Sequence, residues 1–180
     1  MKSYLCFTLL LIATVNLSGQ SNIDRYYALI DSVDRWQEEH ILYQKAPNFK
    51  ASLISGEEFD LADHKGKVVF INFWFTTCRP CIQELPDFEA LHKKYANQEV
   101  SFISICLDGP AEIERLFSRI RKDMPACQVS IIARGEEIVK QYGVALFPTN
   151  MLIDQEGVVQ FIGKTNLKQA ERKLKKMLKS

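Results

Sequence analysis

Hydrophobic and polar residues alternate in blocks along the chain, and each block has the period of one kind of element. Residues 67–75 contain VVFINFWF, an apolar run rich in β-branched and aromatic side chains, which predicts a strand covered on both faces. A second buried strand is predicted at 100–107, and helices with one apolar side are predicted at 80–95 and 111–121. Strands that alternate with helices predict an α/β domain with a mixed sheet.

Shorter periodic segments flank this region. They predict a hairpin at 49–53 and 59–61, a short helix at 136–142, strands at 149–153 and 158–162, and a closing helix at 166–179. Between the last two strands, Asp154-Gln155-Glu156-Gly157 suits a tight turn in which the glycine takes the positive φ. Thr165 or Asn166 is the expected cap of the closing helix.

The N-terminal 45 residues have a different pattern. In residues 1–20, Lys2 precedes an apolar run at 5–15, and small residues follow at Ser18 and Gly19. This layout predicts a signal peptide, because the run is shorter than the about 20 residues of a membrane span; an uncleaved anchor is the alternative. Residues 21–45 predict an amphipathic helical extension, and residues 46–180 predict the α/β domain.

Composition excludes few functions. The chain of 180 residues is 47% hydrophobic and has a net charge of +1, so it gives no reason to expect a nucleic-acid partner. Basic residues cluster in the closing helix, where a solvated face explains them. Binding to a membrane or a polyanion is the alternative.

The segment FWFTTCRPCIQELP, residues 73–86, carries the candidate chemistry. Cys78 falls at the predicted strand-to-helix junction, where unpaired backbone N–H groups and the helix dipole favour its thiolate. Arg79 adds a positive charge, and Pro80 falls in the first helical turn, where a missing N–H costs nothing. Cys81, one turn on, is placed to resolve a mixed disulfide formed at Cys78.

Two other roles for the cysteine pair fit the sequence less well. A structural disulfide that closes so short a loop adds little entropic stability. A zinc site needs further ligands, and the sequence has no second CxxC motif. We therefore expect a redox-active pair, with no metal and no other cofactor.

A set of motifs in fixed order extends the pattern beyond the cysteines. The set comprises Ala46-Pro47 with Phe49, Gly66-Lys67, Asn72-Phe73-Trp74, Cys78-Arg79-Pro80-Cys81, Glu84, Pro86, Tyr142-Gly143-Val144, Pro148-Thr149 and Asp154-Gln155-Glu156-Gly157. In these residues the chain resembles the exported thioredoxin-fold thiol–disulfide oxidoreductases of the TlpA/ResA-like family, which are related to the AhpC/TSA group. The resemblance covers about three quarters of the chain and implies a thioredoxin-like fold, in which helices flank a mixed central sheet.

The resemblance also implies roles for individual residues. Cys78 and Cys81 would exchange disulfides, and Phe147–Pro148 would be a cis peptide beside them. Glu84 would be a buried acid that tunes the cysteines and moves protons, whereas thioredoxins proper have an aspartate in the preceding strand, where this chain has Asn72. The alternative for Glu84 is a surface position on an amphipathic helix.

Three side chains near the motif are candidates for contact with a substrate: Trp74, Arg79 and Phe147. The chain departs from the family pattern at Phe75-Thr76-Thr77, where relatives commonly carry a tryptophan next to the first cysteine. The surface around Cys78 is therefore expected to differ from that of these relatives.

Two further cysteines, Cys106 and Cys127, follow the motif. Buried free thiols are the default expectation for both. A second disulfide is the alternative, since an oxidising compartment permits it.

The predicted function is thiol–disulfide exchange with exported proteins in the bacterial periplasm or cell envelope, more as a reductant than as an oxidant. Cytochrome c maturation is one task that the resemblance suggests. The resemblance also implies a membrane-bound electron donor. We expect the protein to be a monomer. A peroxidase of the AhpC/TSA group is an alternative, but its characteristic threonine and proline are replaced by Phe75 and Ile71. A peptide-binding module without enzymatic activity is another.

Overall fold

The computed structural model describes the backbone of residues 2–120, 129–165 and 167–179, and side chains within these ranges from Ser21 onward. The chain divides into two compact units, Met1–Trp36 and Gln37–Ser180. Residues 2–36 of the first unit belong to helix α1, Lys2–His40. None of the helices in the described part of the chain is both long and apolar enough to cross a membrane. Side chains of the predicted leader, residues 1–20, lie outside the described residues.

The second unit holds the remaining elements. They are strands β1 (Lys50–Ser52), β2 (Glu58–Asp60) and β3 (Val68–Trp74), helix α2 (Arg79–Lys94), strand β4 (Val100–Cys106), helix α3 (Pro110–Ile120), strand β5 (Ser130–Ile132), helix α4 (Glu136–Gln141), strands β6 (Thr149–Ile153) and β7 (Val159–Lys164), and helix α5 (Leu167–Met177). β1 and β2 form the predicted hairpin. The other strands form one sheet in the order β5-β4-β3-β6-β7.

The sheet is mixed, as expected. β3, β4 and β5 run parallel, whereas β6 pairs antiparallel with β3 and with β7. Every residue of the central strand β3 is buried, which confirms that both of its faces are covered. Ile71 and Phe73 pack into one core, and Phe70 packs on the opposite face against Phe88 of α2, with ring centroids 5.1 Å apart.

Most predicted boundaries hold to within one or two residues, but one strand escaped prediction. β5 has only three residues, too few for a period to be read. Of the two predicted caps of the closing helix, Thr165 has a φ of +49°, whereas a capping residue has extended backbone. Asn166 lies outside the described residues.

The end of α1 belongs to the second unit by its contacts. Gln37 donates from Nε2 to the carbonyl oxygen of Tyr142 at 3.2 Å, and Ile41 is buried in the core. Beyond the helix, Tyr43 donates its N–H to the carbonyl oxygen of Val159 at 2.8 Å. Part of the predicted extension at 21–45 is therefore integral to the α/β unit.

Candidate active site

The loop between β3 and α2 is held by hydrogen bonds before and at Cys78. The N–H of Thr76 donates to Asp108 Oδ2, beyond the end of β4, at 2.6 Å. The N–H of Cys78 donates to the carbonyl oxygen of Phe75 at 3.1 Å. Cys78 is the N-cap of α2, and Pro80 lies in the first helical turn. The predicted junction of strand and helix is therefore confirmed.

Cys78 and Cys81 form a disulfide, with an S–S distance of 1.99 Å. The N–H of Cys81 also points at Cys78 Sγ, at 3.2 Å, so the first turn of the helix supplies a donor that favours negative charge on this sulfur. Cys78 is 5% exposed and Cys81 is 1% exposed. Cys81 is the less accessible of the two, as expected.

The loop before β6 brings a cis peptide to the same region. The Phe147–Pro148 bond is cis, as the resemblance implied. Thr149 Oγ1 donates to the carbonyl oxygen of Leu146 at 2.7 Å across this bond. The half-buried ring of Phe147 meets Phe75 edge-on at 5.3 Å and packs against the cluster that contains both cysteines.

Glu84 lies one turn beyond Cys81 on α2 and points at the sheet. Its Oε1 accepts a hydrogen bond from Asn150 Nδ2 at 2.8 Å and another from Asn72 Nδ2 at 3.2 Å. Burial raises the pKa of Glu84, and the charge of Asp87 adds to this, while the two amide hydrogen bonds partly offset it. Glu84 is half-buried, so the structure does not support the alternative of a surface position on an amphipathic helix.

The three candidate substrate contacts differ in accessibility. Arg79 is exposed and Phe147 is half-buried. Trp74 is fully buried and stacks on Phe117, with ring centroids 6.1 Å apart. The expectation that Trp74 contacts a substrate is therefore wrong for this structure, because the side chain has no surface to offer.

Cys106 is a free, buried cysteine. It pairs in register with Trp74 on the adjacent strand, and burial raises the pKa of its thiol to about 12. The default expectation is confirmed for Cys106, while Cys127 lies outside the described residues.

Two residues that contact the site were not singled out from the sequence. Asn150 is a polar residue inside the fully buried strand β6 (Thr149–Ile153), and a polar amide between Thr149 and the apolar residues 151–153 is the signal in the sequence. Asp108 directly follows the predicted strand 100–107, where a carboxylate at the end of a strand can reach a neighbouring loop. Both contacts link positions far apart in the chain, 66 residues for Asn150 with Glu84 and 32 for Asp108 with Thr76.

Comparisons with known proteins agree with this geometry. Residues 42–162 match the model of the AhpC/TSA family. The thiol-disulfide oxidoreductase ResA of Bacillus anthracis is 32% identical over 98% of both chains. The thioredoxin-like protein YneN of Bacillus subtilis is 35% identical over 73% of this chain and 77% of its own.

A solved structure shows the same fold. The thiol:disulfide interchange protein of Chlorobium tepidum superposes with a TM-score of 0.63 at 24% identity, over 75% of this chain and 96% of its own. The chain therefore belongs to the AhpC/TSA family and, among its members, to the ResA-like thiol–disulfide oxidoreductases.

Proposed function

We propose that this enzyme reduces disulfides in exported proteins, with Cys78 as the attacking sulfur and Cys81 as the resolving one. The observation that carries the proposal is the position of Cys78. It caps α2, receives the N–H of Cys81 on its sulfur, and is the more exposed member of the pair. The cis Phe147–Pro148 loop packs beside it.

The reaction begins from the dithiol form. The Cys78 thiolate attacks one sulfur of a substrate disulfide, and the other substrate sulfur leaves as a thiolate and takes up a proton. Cys81 then loses its proton and attacks Cys78 Sγ, which releases the second substrate sulfur. The net reaction gives two substrate thiols and the Cys78–Cys81 disulfide, so two electrons pass from enzyme to substrate.

Glu84 is the proposed acceptor of the Cys81 proton. It lies one helical turn from Cys81, on the same helix. Its ionised form is held by two amide donors, while burial raises its pKa towards the range in which a carboxylate can take and return a proton.

Two features of α2 limit how far the Cys81 N–H stabilises the Cys78 thiolate, and they support the reducing direction. Pro80 removes one N–H from the first turn, so fewer donors face the Cys78 sulfur. An ionised Glu84 also disfavours a second negative charge nearby. A thiolate that is weakly stabilised makes the dithiol form less stable, and the pair is then the stronger reductant.

The cellular setting is part of the proposal. The charged start, apolar run and small residues of segment 1–20 support export to the periplasm or cell envelope. Regeneration of the dithiol there calls for an electron donor in the membrane, and apocytochrome c is one candidate substrate. Exposed Arg79 and half-buried Phe147 are the proposed contacts for the incoming protein, and the enzyme is proposed to act as a monomer.

The reduction potential tests the direction. The pair is titrated in thiol–disulfide buffers, with the fluorescence of buried Trp74, in the same cluster as both cysteines, as the reporter. We expect a value near that of thioredoxin, about −270 mV, whereas a value near about −120 mV would make the enzyme an oxidant. Absence of any reversible couple would contradict the enzymatic proposal itself.

A trapping experiment tests the two sulfur roles. Cys81→Ser should accumulate a mixed disulfide between Cys78 and a model substrate protein that carries a disulfide, because the resolving sulfur is gone. Cys78→Ser should accumulate none. Equal trapping by both variants would reverse or abolish the assignment.

A further inference from the structure

Three polar side chains form a row across the middle of the sheet. Asn72 of β3 pairs in register with Asn150 of β6 and with Ser104 of β4. They are 2%, 0% and 2% exposed, respectively. Asn72 lies two residues from Phe70, which contacts α2, and side chains two apart on a strand share a face. The row therefore faces the helix that carries both cysteines.

Two members of the row contact Glu84, and the third does not. Asn150 Nδ2 donates to Glu84 Oε1 at 2.8 Å, and Asn72 Nδ2 donates to the same oxygen at 3.2 Å. Asn72 Nδ2 also donates to Asn150 Oδ1 at 3.0 Å. Ser104 Oγ finds no partner among the described residues. Two amides and one carboxylate thus form a closed triangle that spans β3, β6 and α2.

In this triangle Glu84 is only an acceptor, and the two amides are its donors. Both bonds to Glu84 run from amide to carboxylate, and hydrogen bonds to an ionised acceptor are stronger than those to a neutral one. The bond between the two asparagines fixes the Asn150 amide, because its Oδ1 is occupied and its Nδ2 is left to face Glu84. Donors in this arrangement favour the ionised acid over the protonated one.

We infer that Asn72 and Asn150 are positioning residues for Glu84, whose paired amides hold its carboxylate over the β3–β6 pair and stabilise its ionised form. The inference rests on the proposed function only in giving Glu84 a proton to move. Asn150 is the stronger partner, since its bond is shorter and its amide is held from both ends. Without the pair, burial would act on Glu84 unopposed.

In the part of the chain that the structure describes, two further charged residues lie near Glu84, one on α2 and one on α5. Asp87 lies on α2 itself and disfavours ionisation of Glu84. Lys168 of α5 shares with Glu84 a cavity of about 330 Å³ that also reaches Pro80. This cavity gives the carboxyl group a route to solvent for its proton. The amide pair closes the opposite side, towards the sheet.

Titration of Glu84 in the oxidised enzyme tests the inference, since the cysteines do not titrate in the disulfide form. The probe is the ¹³C carboxyl resonance of labelled glutamate, and the Glu84 signal is the one that E84Q removes. Asn150→Leu should raise the pKa of Glu84 by about one unit, because a charge-assisted hydrogen bond is lost. Asn72→Leu should raise it by less.

Ser104→Ala is the matched control. It changes a buried polar residue of the same row that makes no contact with Glu84, so the Glu84 titration should not move. If the leucine variants do not fold, Asn150→Ser and Asn72→Ser remove the amides with less bulk. An unmoved Glu84 titration in a folded Asn150 variant would overturn the inference.

The outcomes for the inference and for the proposed function can be told apart. A shifted Glu84 titration together with unimpaired exchange by E84Q would keep the amide pair and reject Glu84 as the proton acceptor. An unshifted titration together with slow exchange by E84Q would reject the amide pair as positioning residues and keep Glu84 as the proton acceptor.

Discussion

The carboxylate of Asp108 and the backbone N–H of Thr76 are joined by a hydrogen bond of 2.6 Å. Thr76 is 7% exposed, and two residues later the chain reaches Cys78. The bond therefore ties the end of β4 to the loop that presents the reactive sulfur. The donor is a backbone N–H, so the side chain at position 76 does not make this bond.

Asp108→Ala should destabilise the oxidised enzyme by about 1.5–3 kcal/mol, because a buried N–H loses a charged partner. Asp108→Asn keeps an acceptor oxygen at the same place and should lose less than half of that. The free energy of unfolding in urea measures both. Equal losses in the two variants would show that the acceptor oxygen is not what stabilises the loop.

Glu84→Gln should slow disulfide exchange by about 100-fold, the low end of what a positioned proton acceptor contributes. It should also lower the pKa of the cysteine thiols in the reduced enzyme, because a nearby negative charge is removed. Stopped-flow exchange kinetics and thiolate absorbance across pH measure the two effects.

Asp87→Asn is the control for Glu84→Gln. It removes the other acid of the same helix face, which acts on Glu84 only through its charge, and should leave exchange within about twofold of the wild type. If Glu84→Gln changes neither the exchange rate nor the thiol pKa, the role of Glu84 is wrong.

How far the sequence predicted this molecule depends on the range of each interaction. The CxxC motif and the periodic strands are local patterns, and they were placed correctly. The Asn150–Glu84 bond depends on a helix crossing a strand, which no local period encodes. Trp74 is a candidate substrate contact by its place near the motif, but the apolar run that contains it predicts burial on both faces, and the structure buries it.

Glu171 of α5 should give the fold an acid-sensitive component. Hydrogen bonds from Lys94, above all, and from Lys175 and Tyr95 lower its pKa from 4.5 to about 2. A lowered pKa means that this stability is present above about pH 4.5 and is lost as pH falls towards 2. Because solvent screens a partly exposed pair, we expect about 1 kcal/mol.

Urea unfolding at pH 6, 4 and 3 measures the Glu171 component. In Glu171→Gln the loss of stability between pH 6 and pH 3 should be smaller than in the wild type, by the part of that amount that is lost above pH 3. Glu137→Gln is the control, since Glu137 forms an ion pair with Lys140 on the surface, with 86% of its side chain exposed, and such pairs contribute little. Parallel pH curves for Glu171→Gln and wild type would contradict the prediction.

Cys106 should be unreactive in the folded enzyme. Its thiol is fully buried, and its pKa is raised to about 12, so the nucleophilic thiolate is scarce at pH 8. Iodoacetamide treatment followed by mass analysis of the peptide that contains Cys106 should find no modification before denaturation and full modification after it, without reductant. Protection that persists after denaturation would mean that Cys106 is oxidised.

Gly135→Ala should destabilise the fold through a steric clash. Gly135 precedes α4, and a Cβ built there would lie 2.3 Å from Ile105 Cγ2 in the buried strand β4. The N–H of Gly135 also donates to the carbonyl oxygen of Cys106 at 2.9 Å, which holds the two backbones together. Relief of the clash has to move one of them, at a cost of about 1–3 kcal/mol.

Gly109→Ala is the matched comparison, because Gly109 likewise directly precedes a helix, α3. A Cβ there would meet Glu112 Oε2 at 3.0 Å and Arg134 Nε at 3.3 Å, and both are far ends of flexible side chains. Its cost in urea unfolding should stay below about 1 kcal/mol, the range of an uncapped helix start. Equal losses for the two alanines would assign the cost at 135 to helix capping rather than to the close approach of β4.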